Sequence, residues 1–391
     1  TISVHGSKVS QTVGFGGSTG NHMHIEAEEV RRMSASNGLR IGDASDSSIT
    51  VNGVLNADSL YVYPLVTLIA QSDDASITFA STSSTFHTLA AQADNGVAVQ
   101  VQVTATTGAM NLDGDYENSS SADGTNDVQF ADGVTVSAET LMTLESTTGT
   151  LVRAAKLTLV AGSGLVILND MTTTTANSPL VIDTDYESEG DGTLTVVATK
   201  VVTSNKSDVT ITAWDVDMAG SLTAGTMTIS VHGSKVSQTI GIGASLSQNM
   251  EILDAELGRL TGEAGLTVGT SVGGEIQVKG VLDGSSDSVG TITLVATKAA
   301  RSVVFDVTAS SFNKGIVVQA ADGVILSESV TTKNLRTVLY AGTGTLKTLA
   351  SKSLVTTNQL LTVSADDINI QGDAVSSGTA ITTITPVTVG N

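Results

Sequence analysis

The sequence predicts an all-β fold: a right-handed parallel β-helix, or solenoid, with short strands, Gly/Asp/Ser turns and tandem modules. Three observations lead to this prediction. The composition is aliphatic with only 3% aromatic residues, one long stretch of the chain occurs twice, and short runs of alternating apolar residues follow glycines along nearly the whole chain. Helical periodicity is almost absent.

The composition favours a solenoid over a compact domain. The 391 residues include only 3 prolines, and Ser and Thr make up about a quarter of the chain. Compact domains of this length normally fill their cores with aromatic rings as well as aliphatic side chains, whereas a solenoid stacks small β-branched residues in a narrow, repeated cross-section. Because 40% of the residues are hydrophobic, we expect a folded chain.

Charge and cysteine content exclude several classes of protein. The formal net charge is −21, so no basic stripe exists to bind nucleic acid. The chain has no cysteine, which excludes disulfides and thiolate metal sites. No apolar run reaches the roughly 18–20 residues of a membrane span. The first residue is Thr and no signal peptide is visible, so we expect a processed product or a piece of a longer chain.

One stretch of the sequence occurs twice, which indicates a tandem repeat. TISVHGSKVSQT at residues 1–12 recurs unchanged at 228–239, and the similarity continues at the same offset of 227 residues through Leu55 and Leu282. Near the module ends, WDVDMAGSLTAGT, which starts at Trp214, corresponds to DDINIQGDAVSSGT, which starts at Asp366.

These matches predict the modular organisation of the chain. A first β-helical module covers residues 1–227, with extra coils around 113–207, since a solenoid tolerates the insertion of whole coils. A second module covers 228–383. Residues 384–391 are the start of a further module or a C-terminal tail.

Short strands are indicated where a glycine precedes alternating apolar residues, as in GLRI from Gly38, GVTV from Gly133 and GVIL from Gly323. The glycine supplies a turn with positive φ, and the alternation marks a half-buried strand. A β-sandwich would show clear hairpin turns and a larger aromatic core, and a propeller would need uniform blades of roughly 40–50 residues. The β-helix is therefore the preferred architecture.

Two blocks resemble the repeats of filamentous-haemagglutinin-type β-helical surface proteins. They are AEEVRRMSASNGLRIGDASDSSITVNGV at residues 27–54 and AELGRLTGEAGLTVGTSVGGEIQVKGV at 255–281. Both are similar to that family's AELGRI, GLTIG and GxITV segments. The resemblance covers about a sixth of the chain. It implies a parallel β-helix on a secreted or cell-surface protein with an adhesive or scaffold role, and it implies no catalytic residues.

An acidic run offers the main candidate for a metal site. Asp183, Asp185, Glu187, Glu189 and Asp191 place a carboxylate at every second position, so they would share one face of an extended strand. Carboxylate oxygens at this density suit Ca²⁺, which takes six to eight oxygen ligands. The spacing does not match an EF-hand, and such runs are more often solvated loops. Calcium is therefore the one candidate cofactor, and the alternative is none.

Two histidines and two Glu–Arg pairs are further polar features of the repeats. His22 and His24 invite a transition-metal interpretation, but the second module has Asn249 and Glu251 in their places, so we expect no metal there. Glu29 with Arg32, and the corresponding Glu and Arg of the second module, are predicted to form surface ion pairs.

Asn118 and Asn205 begin the glycosylation sequons NSS and NKS, which are meaningful only in a eukaryotic secretory route.

The sequence predicts a structural or adhesive β-helical rod of an extracellular or cell-surface filament, and not an enzyme. The tandem modules, a Ser/Thr-rich surface and the lack of a catalytic constellation lead to this hypothesis. Other copies of the chain, joined end to end or laterally, are the expected partners, with cell-surface glycans as further partners. The alternative is a carbohydrate- or ice-binding adhesin module. A polysaccharide lyase or hydrolase is less favoured, because few aromatic residues are available to hold sugar rings.

Overall fold

The structure is a computed structural model that describes residues 1–18, 20–116, 125–245 and 247–388. Regular structure in these ranges consists of short β-strands, two one-turn α-helices and two 3-10 helices. The chain divides into two compact units. The first unit comprises Thr1–Glu187 and Asp191–Asn205, and the second comprises Ser188–Gly190 and Lys206–Asn391.

The first unit contains strands of two to five residues joined by turns. Its strands are β1 (Ile2–Val4), β2 (Val13–Gly16), β3 (Met23–Ile25), β4 (Leu39–Ile41), β5 (Ile49–Asn52), β6 (Val66–Ala70), β7 (Ile77–Phe79), β8 (Ser84–Phe86), β9 (Leu89–Ala93), β10 (Val97–Val99), β11 (Val103–Ala105), β12 (Met110–Asp113), β13 (Val128–Phe130), β14 (Val134–Ala138), β15 (Met142–Glu145), β16 (Leu151–Arg153), β17 (Leu157–Ala161), β18 (Leu165–Ile167), β19 (Met171–Thr172), β20 (Leu180–Asp183), β21 (Thr193–Val196) and β22 (Val201–Thr203). Helix α1 (Ala27–Val30) and the 3-10 helix η1 (Asn56–Asp58) complete it.

Three ladders run through the first unit, and each strand except β3 pairs with a strand from a neighbouring coil. Their orders are β1-β4-β6-β9-β12-β15-β18-β21, β22-β19-β16-β13-β10-β7-β5-β2-β3, and β20-β17-β14-β11-β8. The pairs are parallel. Parallel ladders of successive short strands make a parallel β-helix, so the predicted fold class is confirmed. Its right-handed sense stays an expectation from the chirality of parallel crossovers.

The core of the first unit is made of stacked columns of apolar side chains. Alternation along each strand points every second residue inward, and the parallel register places equivalent inward residues of successive coils above one another. One such column consists of Leu39, Val66, Leu89, Met110, Met142, Leu165 and Leu194, and each of these side chains is at most 1% exposed. The narrow column explains why aliphatic residues suffice for the core.

The second unit repeats this construction. Its strands are β23 (Val209–Ala213), β24 (Asp215–Met218), β25 (Ser221–Gly225), β26 (Thr228–Gly233), β27 (Ile240–Gly243), β28 (Met250–Leu253), β29 (Leu260–Gly262), β30 (Gly265–Thr270), β31 (Ile276–Lys279), β32 (Ile292–Ala296), β33 (Val303–Phe305), β34 (Ser310–Phe312), β35 (Ile316–Ala320), β36 (Val324–Leu326), β37 (Val330–Thr332), β38 (Thr337–Tyr340), β39 (Thr345–Thr348), β40 (Ser353–Val355), β41 (Leu361–Ser364), β42 (Asp367–Ile370), β43 (Ala374–Ser376) and β44 (Thr382–Thr385). It also contains helix α2 (Asp254–Leu257) and the 3-10 helix η2 (Asp283–Ser286).

Three ladders and one strand pair organise the second unit. Their orders are β44-β41-β38-β35-β32-β30-β26-β23, β28-β27-β31-β33-β36-β39-β42, β34-β37-β40-β43, and β29-β25. These pairs are also parallel. An inward column runs from Val231 through Val268, Leu294, Val318 and Leu339 to Val363.

The sequence repeat is also a structural repeat. Helices α1 and α2 begin at Ala27 and Asp254, which are 227 residues apart, and each follows a short strand that leaves the regular coil. We call residues 21–33 the first excursion and residues 248–260 the second excursion. The units divide at about residue 205, whereas the repeat places the module boundary at 227, so compactness and repetition divide the chain differently and the module boundary stays a prediction.

Glycines at the ends of strands allow one coil to approach the next. Gly42 has φ +84, and a Cβ there would lie 2.1 Å from the carbonyl oxygen of Ile69 in the next coil. Its counterpart Gly269 has φ +89, and a Cβ there would lie 2.3 Å from the oxygen of Val295. Both positions need glycine for the backbone conformation and for the space.

Candidate functional site

The acidic run of the first module does not form one extended face. β20 ends at Asp183, and the chain turns repeatedly before the next strand begins. Asp185 is fully buried, Glu187 is half-buried, and Glu189 and Asp191 are exposed. The expectation of five carboxylates on one strand face is therefore wrong, because the alternating geometry ends with the strand. Calcium binding by these residues stays a prediction.

The polar contacts of this turn involve Tyr186, Glu187 and Glu139. The Tyr186 hydroxyl donates a hydrogen bond to Glu139 Oε2, and this bond together with burial and nearby negative charge raises the pKa of Tyr186 to about 12. Burial also raises the pKa of Glu187, and the charges of Asp185, Glu139 and Asp191 add to that effect. The turn thus gathers negative charge close to the protein surface.

A second acidic position lies at a corner of the coil between β12 and β13. Asp115 is fully buried and accepts a 2.6 Å hydrogen bond from the Thr148 N–H. Burial raises the pKa of Asp113 to about 7, and the charges of Glu145 and Asp115 add to the rise, while the hydrogen bond from the Asp115 N–H opposes it. Within the described residues, Oδ1 of Asp115 and Oδ1 of Asn126 are buried without a hydrogen-bond partner. A buried acceptor without a donor is costly.

The sequence pointed to this corner only weakly. Asp113 and Asp115 resemble the start of the later acidic run, but their burial depends on how neighbouring coils stack. Across the parts of the chain that the structure describes, no group of three or more His, Cys, Asp or Glu side chains is arranged to hold a metal ion.

The first-module histidines make hydrogen bonds within the coil. His22 Nδ1 accepts a 3.1 Å hydrogen bond from the Thr12 N–H, and the amide oxygen of Asn249 accepts the same 3.1 Å bond from the Thr239 N–H in the second module. His24 Nε2 lies 2.8 Å from the carbonyl oxygen of Gly16. The imidazole nitrogen of His22 and the amide oxygen of Asn249 accept equivalent backbone hydrogen bonds, so either residue suits this position of the module.

The glycosylation predictions fall on different surroundings. Asn118 lies outside the described residues. Asn205 is half-buried with φ +51, and the Ser207 hydroxyl group of its sequon belongs to a side chain that is only 1% exposed. Glycosylation of either residue stays a prediction.

Arg153 is a buried arginine that the sequence did not single out. It occupies an inward position of β16 and is 1% exposed. Its Nη1 donates to the carbonyl oxygens of Ala155 and Ser178 at 2.6 and 2.8 Å, and its Nη2 donates to that of Ser204 at 2.7 Å. Burial lowers its pKa to about 10. The side chain therefore ties successive turns of the first unit together inside the coil.

The predicted Glu–Arg surface ion pairs are absent from the ion pairs of the described residues, so this prediction is wrong. Glu29 Oε2 instead accepts the N–H of Glu26 at 2.8 Å. Arg259 donates through Nη1 to the carbonyl oxygen of Met218 at 2.9 Å, and Glu256 accepts backbone N–H groups on both sides. The Glu and Arg side chains thus bind backbone groups at the start of a helix and along a strand edge, and not each other.

Outward positions of the first ladder carry no regular array of threonines. Along the first ladder these positions are Ser3, Arg40, Thr67, Ala90, Asn111, Thr143, Val166 and Thr195. Threonine occupies three of the eight positions and never two in succession. An ice-binding face needs closer regularity than this, so this ladder does not favour that alternative.

An aromatic patch is exposed on the first unit. Tyr61 and Tyr63 are 61% and 54% exposed, and the rings of Tyr63 and His87 form a T-shaped pair with centroids 4.7 Å apart. The other three tyrosines are 38–40% exposed, so Tyr61 and Tyr63 are the most exposed tyrosines of the chain. The second module has no tyrosine at the corresponding positions, so this patch is a property of the first module alone.

None of the helices in the described ranges is long and apolar enough to cross a membrane. Comparison with known proteins finds no matching family, no similar curated protein and no similar solved structure.

Proposed function

We propose that this chain is a structural β-helical module of an extracellular or cell-surface filament, and that its partners are other copies of itself. The proposal assigns it no catalytic role. Its acidic, Ser/Thr-rich surface and freedom from cysteine suit a protein that stays soluble without disulfides.

The observation that carries this proposal is the structural repeat. Both units are parallel ladders of coils, and the excursions recur 227 residues apart with the same strand and helix. Solenoids of this kind gain stability from contacts between neighbouring coils, so coils can be added without a change in design. Length and mechanical continuity are the properties that such a design supplies.

Negative-stain electron microscopy of the purified chain tests this function. We expect elongated assemblies that become more abundant as the protein concentration rises. Isolated particles at every concentration, with no assembled form, would argue against a filament. Light scattering on the same samples provides the control for material lost on the grid.

Glycan binding is the second candidate function, and the exposed aromatic patch favours it. Sugar rings stack on exposed aromatic faces, and Tyr61 and Tyr63 offer such faces on the first unit. In a glycan array, we expect any binding to fall about tenfold or more in the Tyr61→Ala, Tyr63→Ala double variant, since each lost aromatic contact is worth about 1 kcal/mol. Tyr340→Ala, an exposed tyrosine of the second unit, is the matched control. No binding by the natural chain would eliminate this candidate.

A further inference from the structure

The second unit contains a junction between a coil strand and an excursion. Strand β24 lies against β28, and both backbone groups of Met218 are bound by side chains of the second excursion. The Met218 N–H donates to Glu256 Oε1 at 2.9 Å, and its carbonyl oxygen accepts from Arg259 Nη1 at 2.9 Å. The Glu251 N–H donates to Asp215 Oδ1 at 2.9 Å. Glu256 and Arg259 thus cap β24, which is the last strand of its sheet.

Apolar burial accompanies these polar contacts. Val216 and Met218 of β24 are only 7% and 2% exposed, and Met250 and Ile252 of β28 are 0% and 2% exposed. The junction therefore combines a small apolar contact with charge-assisted hydrogen bonds to a strand edge, which is how solenoids protect edges that would otherwise pair with other chains.

The first excursion carries counterparts of the two side chains that bind β24 in the second unit. Glu29 and Arg32 stand where Glu256 and Arg259 stand in the second copy, at the offset of 227, and both are exposed. Glu29 Oε2 accepts the Glu26 N–H at 2.8 Å, as Glu256 Oε2 accepts the Leu253 N–H at 2.8 Å. The excursion is thus folded in the same way, with its second carboxylate oxygen turned to solvent.

Strand β42 is the counterpart of β24, the strand that the second excursion binds. Asp367, Ile368 and Ile370 correspond to Asp215, Val216 and Met218 at an offset of 152. Ile370 is 45% exposed and Ile368 is half-buried, whereas their counterparts in β24, Val216 and Met218, are buried. The corresponding strand β42 is therefore more exposed than β24.

We propose that the first excursion of a second copy of this chain binds strand β42 and reproduces the junction of the second unit between molecules. Glu29 of the incoming copy accepts the Ile370 N–H, Arg32 donates to the Ile370 carbonyl oxygen, and the His24 N–H donates to Asp367. The inference rests on the proposed scaffold function and names the surfaces that join its copies. The contact uses two different surfaces, so it links molecules head to tail.

Strand β44 has to exchange during this docking. It pairs with β41 in the position where β26 pairs with β23, and β1 is the counterpart of β26. The incoming β1 therefore replaces β44 on the edge of β41. All four residues of β44 are exposed, and one parallel strand replaces another. The exchange therefore costs little free energy, and it follows the pattern of domain swapping.

Sedimentation velocity of the full chain over about 1–100 µM, a range that brackets modest interface affinities, tests the docking. The excursion variant is Glu29→Gln with Arg32→Ala, in which the glutamine still accepts the Glu26 N–H. The strand variant is Ile370→Asp, which places a carboxylate opposite the incoming Glu29. Arg336→Ala, at an exposed arginine of the second unit, is the control.

We expect the natural chain and Arg336→Ala to associate alike, and each face variant to associate about 10- to 100-fold more weakly, as expected for the loss of one or two charge-assisted hydrogen bonds. A one-to-one mixture of the two face variants should form dimers and nothing longer, because each retains one intact surface. Circular dichroism of each variant checks folding.

A natural chain that stays monomeric throughout, or face variants that associate as tightly as the natural chain, would overturn the docking. If both face variants build the same assemblies as the natural chain in electron microscopy, the docking fails while the scaffold function stands. If no sample assembles, the filament proposal fails with it.

Discussion

At the scale of single residues, buried polar groups govern how the coils respond to pH and to substitution. Asp113 is 6% exposed, and its pKa of about 7 arises mainly from burial and then from the neighbouring Glu145 and Asp115 charges. His22 and Asn249 show the opposite case, in which two different side chains accept equivalent hydrogen bonds. What a polar residue does inside a coil is thus set by the atoms it meets there.

Asp113 predicts a pH dependence of stability. Its carboxyl keeps a proton in the folded state up to about pH 7, whereas in the unfolded chain it loses the proton near the ordinary value of 3.8. The folded state therefore binds more protons between these values, and the free energy of unfolding decreases as pH rises from about 4 to 7. The difference is at most about 4 kcal/mol, at 1.36 kcal/mol for each pKa unit.

Urea unfolding of the natural chain and of Asp113→Asn at pH 4, 5.5 and 8 measures this effect. Asparagine cannot ionise and still accepts the Asp115 N–H, so the variant should match the natural chain at pH 4 and exceed it at pH 8. Equal slopes of stability against pH in the two proteins would refute the assignment to Asp113.

At the scale of elements, each coil depends on alternating strands and on turns that let neighbouring coils approach. The strands need little from any one residue, because their inward positions accept several aliphatic side chains of similar size. The turns are stricter where the backbone of the next coil lies within contact distance, as at Gly42 and Gly269.

Two alanine substitutions separate backbone strain from crowding at such turns. Gly42 and Gly133 have similar φ values of +84 and +75, but a Cβ at Gly133 meets nothing within 4 Å. Gly133→Ala should cost about 1–2 kcal/mol from the left-handed conformation alone, and Gly42→Ala about 1–3 kcal/mol more, because its Cβ collides with the Ile69 carbonyl. Thermal or urea unfolding of both variants measures the difference, and equal losses would show that crowding has no effect at Gly42.

At the scale of the whole molecule, the repeat provides the chain with counterparts of both surfaces that meet in the junction of the second unit. The second excursion covers strand β24, and the chain presents a copy of each half of that contact on an exposed surface. Because a solenoid's stability is a sum of contacts between neighbours, a contact that stabilises the second unit is expected to act in the same way between molecules. The tests of assembly and docking above belong to this scale.

The sequence alone determined the fold class, the strand positions around turn glycines and the equivalence of the two modules. These features follow from local periodicity, which each strand carries in its own residues. The candidate site was less predictable. The acidic run was visible, yet its interruption after Asp183 and the burial of Asp185 were not, because both depend on turns and on the coils above and below.

Only the tertiary structure decided which groups meet. The spacing of Glu29 and Arg32 suggests an ion pair, and the same spacing recurs in Glu256 and Arg259. In the folded coils, however, Glu256 and Arg259 bind the backbone of Met218 instead of each other. Arg153 likewise reaches carbonyl oxygens as distant in sequence as that of Ser204. Such partners lie a full coil or more away along the chain. The pattern of a strand specifies which side chains point inward, whereas the stacking of coils determines what they touch.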